Sequence, residues 1–286
     1  MKLMNYEKFL IIERLGINQD VELLSNYLKS KIGSSSLIID NIPLKLSKPI
    51  SKIFINITNN KKSVASFDIK RSNLKDLGWN LYFNFESNPT IDIISHEVNH
   101  AYQFIMKGRE KSIQSLNKIK ASRHSLNFLP FGQRNGKLNE VVDLIYYLND
   151  AEIDSFVVEV YADIKELSKK YKIDKETFTK LIENSEPYNI CEFVDSINLS
   201  DYLSDISIDN KIKFFSILKE KEKELKSGET NFKQKIVNLF KMIFHTNIKS
   251  MENIELEATI KKWDNYFKNQ SNKLRRKLFR LYDLMD

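Results

Sequence analysis

The stretch "NPTIDIISHEVNHAYQFIMKG" (88–108) constrains the chain most. Ile91, Ile94, Val98, Ala101 and Ile105 recur at three- and four-residue intervals, the period of one helix face, and Ile93 and Phe104 widen the stripe. Asn88 or Thr90 can cap the start, and Gly108 stands where a glycine commonly ends a helix. A helix this apolar must be largely buried, yet it carries His96, Glu97 and His100. The fold therefore has to bring partners to those polar groups inside its core.

What precedes the helix reads as a small antiparallel or mixed sheet. "KIFINIT" (52–58) alternates Ile53, Ile55 and Ile57, "SVASFDIK" (63–70) alternates less cleanly, and "NLYFNFE" (80–86) alternates Leu81, Phe83 and Phe85. Before these lie a helical pattern over about 5–32 and a connecting region, "SSSLIIDNIPLKLSKP", holding one short strand. After the helix, 109–136 is polar and weakly patterned, as functional loops often are. Helical patterns then follow at 137–148, 149–171, around 175–184, and at 200–227, 231–245 and 252–285, with no proline after Pro187. The expected class is α+β, with a small sheet packed on the 88–108 helix and a mostly α-helical C-terminal half. The expected division is a catalytic domain over 1–170 and a helical region over 171–286.

Composition narrows the chemistry. A single cysteine, Cys191, excludes an internal disulfide and any multi-cysteine zinc site, and suits a reducing compartment such as the cytoplasm. The opening "MKLMNYEKFLIIERLG" does not read as a secretory signal, and no apolar run approaches the roughly 18 residues that span a bilayer. An excess of 45 Lys and Arg over 38 Asp and Glu gives a net charge of +7, a mild bias whose densest run is "NKLRRKLFR" (272–280). A solvated basic helix face explains that run; contact with nucleic-acid phosphates through Lys273, Arg275, Arg276 and Lys277 is the alternative.

Histidines four apart lie one turn from each other on a helix, so His96 and His100 can reach one metal ion. Glu97, adjacent to the first, can hold a water at that metal, take its proton and pass it to a leaving amine. Zinc suits imidazole ligands and brings the bound water's pKa to about 7. A catalytic zinc usually takes a third protein ligand. Gln103 and Met106 stand where a metzincin would need glycine and histidine, and His124 and His245 lie in a polar loop and a distant helix. Glu152, near the start of the helix in "YYLNDAEIDSF", is the leading candidate; Asp154 and Glu159 are its rivals. Glu152 also fits a capping box with Asn149. Asn99 and Asp163 are candidate partners for the imidazole N–H groups. His124, Tyr146, Tyr147 and Tyr161 are candidate oxyanion donors.

The order sheet, "SHEVNHAYQ", long insertion, "YYLNDAEIDSF" resembles HExxH proteins of the gluzincin type found in bacteria and phage genomes. There an "HE-x-x-H-A-x-Q" helix is followed by a "YYL-x-x-x-E-I-x-A" segment. The resemblance covers about 50–165, with Ser155 where alanine is usual. It implies a zincin-like fold and a zinc metallopeptidase acting on peptides or proteins. It also implies zinc on His96, His100 and Glu152, with Glu97 as general base. Enzymes of this kind bind substrate as a strand added at a sheet edge, which 78–86 or 63–70 would supply. Two other readings remain: an inactive zincin-like binding or structural protein, and a nucleic-acid-associated protein using its basic C-terminal helix.

Overall fold

A computed structural model describes residues 15, 17–58, 65–71, 78–107, 136–227 and 253–285. The predicted loop at 109–136, including His124, and the 231–245 helix, including His245, fall outside them, apart from Gly136. The elements are α1 (Gln19–Lys31), β1 (Leu37–Asp40), β2 (Ile50–Thr58), β3 (Ala65–Arg71), β4 (Trp79–Glu86), α2 (Ile91–Lys107), α3 (Gly136–Tyr147), α4 (Asp150–Ser168), α5 (Lys175–Glu183), α6 (Glu186–Ser196), α7 (Leu199–Tyr202), α8 (Ile208–Ser227) and α9 (Asn253–Arg280). A short 3-10 turn follows at Leu281–Leu284.

The four strands form one mixed sheet in the order β1-β2-β4-β3. β4 runs parallel to β2 and antiparallel to β3, so β3 occupies an edge beyond its successor in sequence. The period-two pattern explains its two faces. Ile53, Ile55, Leu81, Phe83 and Phe85 are buried on one side. On the other, the Phe54 ring stacks on Tyr82 at 4.5 Å. Beside them a row of side chains crosses the strands: Asn56 Nδ2 donates to Asn84 Oδ1 at 3.0 Å, and Asn84 Nδ2 donates to Ser66 Oγ at 3.1 Å. Such cross-strand pairs hold the register.

One backbone position before β4 admits only glycine. Gly78 sits at φ 82°, and a Cβ there would lie 2.2 Å from the carbonyl oxygen of Pro49. That same oxygen accepts the Trp79 N–H at 3.1 Å, so the close approach is part of how β4 starts.

The chain divides into two compact units. The first comprises Met1–Arg109, Asp150–Asn189 and Leu274–Asp286; the second comprises Glu110–Asn149 and Ile190–Lys273. The two units interleave along the sequence. In the first unit, α2 packs against α1, α4 and β3. Its Ile94, Val98 and Ala101 are fully buried, and Trp79 of β4 meets Phe104 edge-on at 6.1 Å. α1 is capped by Asn18, whose side chain accepts from Asp20 N, and buries Val21, Leu24 and Leu28. The second unit is helical among the described residues. Its core includes Leu138, Val141, Cys191, Leu199, Phe215 and Phe267, and the buried Cys191 thiol donates to the Ser271 carbonyl at 3.5 Å. α6 was not among the predicted helices; Pro187 lies in its first turn, where a missing N–H costs nothing.

The basic C-terminal run is partly engaged within the first unit. Lys277 Nζ pairs with Asp154 at 2.7 Å and donates to the Leu15 carbonyl at 3.1 Å, and the Arg275 guanidinium lies over the Tyr188 ring. Among the described residues, no helix is long and apolar enough to cross a membrane.

Candidate metal centre

Two helices of the first unit build the site. On α2, His96 and His100 stand one turn apart. On α4, Glu152, Ser155 and Glu159 follow at three- and four-residue intervals, which places them on one face. Where these faces meet, His96 Nε2 lies 3.2 Å from one Glu152 oxygen and His100 Nε2 lies 3.3 Å from the other. The two Nε2 atoms are 3.0 Å apart. Three ligand atoms, one from each residue, thus lie within 4.8 Å of one another.

The imidazoles are held from behind. His96 Nδ1 is 2.7 Å from Glu159 Oε2. His100 Nδ1 is 3.2 Å from Ser155 Oγ, which also accepts from Asn99 Nδ2 at 3.1 Å. With each Nδ1–H donated backward, both Nε2 lone pairs face Glu152, the arrangement in which neutral imidazole ligates a cation. Rings wall the pair. Phe67 of β3 lies parallel to His100 at 5.8 Å, and Phe156 meets His96 edge-on at 5.4 Å. Side-chain exposure is 15% for His96, 6% for His100 and 3% for Glu152, so access is from the His96 side.

Without a cation, protons take over the charge balance. Burial opposes ionisation of both His96 and Glu152. The hydrogen bonds and charges of Glu152 and Glu159 outweigh it at His96 and push that pKa from 6.5 up to about 10. The two histidines in turn hold the Glu152 carboxyl far below the usual carboxylate range. A histidine whose pKa rises on folding adds stability below its unfolded value, and that stability is lost as pH climbs to the folded value. The metal-free protein should therefore lose stability to urea between pH 6.5 and about pH 10, and His96→Ala should flatten that slope. A metal ion bound by these residues would have to expel the proton, so its affinity would rise with pH over the same range.

The candidates sort clearly by position. Of the three carboxylates proposed on α4, Glu152 faces both histidines, Asp154 pairs with Lys277 Nζ, and Glu159 holds His96. Asn99 reaches His100 only through Ser155. Asp163 is not hydrogen-bonded to either histidine; burial and the charges of Asp92 and Glu159 raise its pKa. Tyr161 accepts from Lys165 Nζ at 3.4 Å, on the side of α4 away from Glu152. Tyr146 and Tyr147 meet edge to face in the second unit. Glu97 is half-buried and directly follows His96 on α2.

Glu159 as the imidazole holder, Ser155 as a hydrogen-bonding group and the two phenylalanine walls are additions from the structure. The spacing Glu152, Ser155, Glu159 carries the signal for the first two, because it lays three polar side chains along one face of the helix. Replacing Glu159 with Gln is expected to weaken zinc binding about 10- to 100-fold without altering helix content. Competition with a chromogenic chelator, beside a circular dichroism spectrum, measures both. The chain matches no protein-family model, no curated protein and no solved structure.

Proposed function

We propose that the protein is a zinc-dependent metallopeptidase of the gluzincin type, with a zincin-like catalytic unit. The carrying observation is that the carboxylate of Glu152 meets the Nε2 atoms of His96 and His100, with Glu97 next to His96 on the same helix. The donor set fits zinc: two imidazole nitrogens and one carboxylate leave a coordination position for a reacting group. Bound there, zinc would supply Lewis-acid polarisation of a peptide carbonyl and make an attacking water more acidic.

The chain's own residues do the rest. Glu97 takes the proton of the attacking water and delivers it to the amine as the C–N bond breaks. Glu159 and Ser155 keep both imidazole rings turned toward Glu152. Phe67 and Phe156 shield the pair from bulk water, which strengthens charge interactions inside. The substrate is an extended peptide pairing along β3, the strand whose Phe67 covers His100, so that its backbone passes the ligand cluster.

The test is cleavage of an unfolded protein such as reduced casein by the zinc-loaded full chain. Cleavage should stop with a zinc chelator and return on adding zinc. One bound zinc per chain with no cleavage of casein or of a mixed peptide library would instead favour a metal-stabilised binding protein.

A further inference from the structure

A recess of about 180 Å³, apart from the histidine cluster, lies between α1, α2 and α4. Ile17, Val21, Ile91 and Val158 give it an apolar floor, and all four are buried or half-buried. Its rim carries charges of both signs: Glu22 and Glu166 against Lys165 and Lys169. Lys165 Nζ pairs with Glu22 at 2.5 Å, and Lys169 Nζ pairs with Glu166 at 2.6 Å. Although burial disfavours the charged form of Lys165, hydrogen bonding to Glu22 and the neighbourhood of Tyr161 raise its pKa, so it stays cationic. Neither the metal ligands nor Glu97 line this recess.

The rim selects among ligand charges. A plain carboxylate would meet Lys165 but be repelled by Glu22 and Glu166, and a plain amine would meet the converse. A zwitterion can place its carboxylate on the lysines and its ammonium on the glutamates, extending the alternation already present. The apolar floor takes an aliphatic side chain, and the volume suits a molecule of one amino acid. We propose that this recess binds a free α-amino acid with an aliphatic side chain, with Lys165 and Lys169 holding its carboxylate and Glu22 and Glu166 its ammonium.

The inference does not depend on the metal reading, and its test keeps them apart by using the full chain stripped of metal. L-leucine is titrated by calorimetry beside isoamylamine and isocaproate, which keep the side chain and lack one charged group each. Saturable leucine binding is expected, with each analogue at least about tenfold weaker, since a hydrogen bond to a charged group is worth about 1.5–3 kcal/mol. Ala162→Phe, which fills the recess from the half-buried side of α4, should abolish leucine binding with an unchanged melting curve. Lys165→Gln serves as a second variant and should weaken binding of leucine and isocaproate but not of isoamylamine. Absence of saturable leucine binding, or leucine binding untouched by Lys165→Gln and Ala162→Phe, would overturn the proposal.

Discussion

Replacing Glu97 with Gln should lower peptide hydrolysis about 10²- to 10⁴-fold while leaving one zinc per chain. Gln has nearly the shape of Glu and can still orient a water, but it cannot accept the proton. The loss should therefore fall on turnover and leave metal content and fold untouched. Glu97 is not among the three residues whose ligand atoms converge, which is why metal and activity should separate here. Elemental analysis and a casein assay on the same preparation decide it. Full activity in Glu97→Gln would remove this glutamate from the mechanism, and zinc loss would recast it as a ligand or a structural support.

The second large effect is expected at Glu152. Glu152→Ala should lose stoichiometric zinc, whereas Asp154→Ala, two positions on, should keep it. Glu152 is 2% exposed and meets both imidazoles, so alanine removes one of the three proposed ligands and leaves a buried gap. Asp154 lies about 200° around the helix from it and pairs with Lys277, with a quarter of its side chain accessible. A partly exposed ion pair of that kind is worth about 1 kcal/mol or less, so its loss is a small change in stability. Zinc content of the two purified variants, measured beside wild type, separates these roles. If Glu152→Ala held its zinc, the third ligand would have to be sought elsewhere, with Glu159 first because it already touches His96.

Much of the first unit was legible because its information is local. Alternation in 52–58 and 80–86 marks β2 and β4, whose buried residues are the ones the period names, Ile53, Ile55, Leu81, Phe83 and Phe85. The apolar stripe of 91–105 marks α2, and the four-residue spacing of His96 and His100 puts both on one side of it whatever surrounds them. Strand order was not legible, since β4 inserts between β2 and β3 and nothing in the pattern of any single strand states its neighbour. α6 lies between the predicted helices at 175–184 and 200–227 and was not read from the sequence; Pro187 sits in its first turn, where proline is tolerated.

By itself, then, the sequence determined which residues could act as paired ligands and general base, because helix and strand periods are set by backbone geometry alone. Three carboxylates on α4 and several candidate imidazole partners were all compatible with that pattern. Only tertiary packing chose among them. The rotation and depth at which α4 lies against α2 turn Glu152 toward both histidines, give Glu159 and Ser155 to the backs of the rings, and send Asp154 to Lys277. That choice depends on how whole apolar faces fit together, a property of long-range contacts that no local spacing contains.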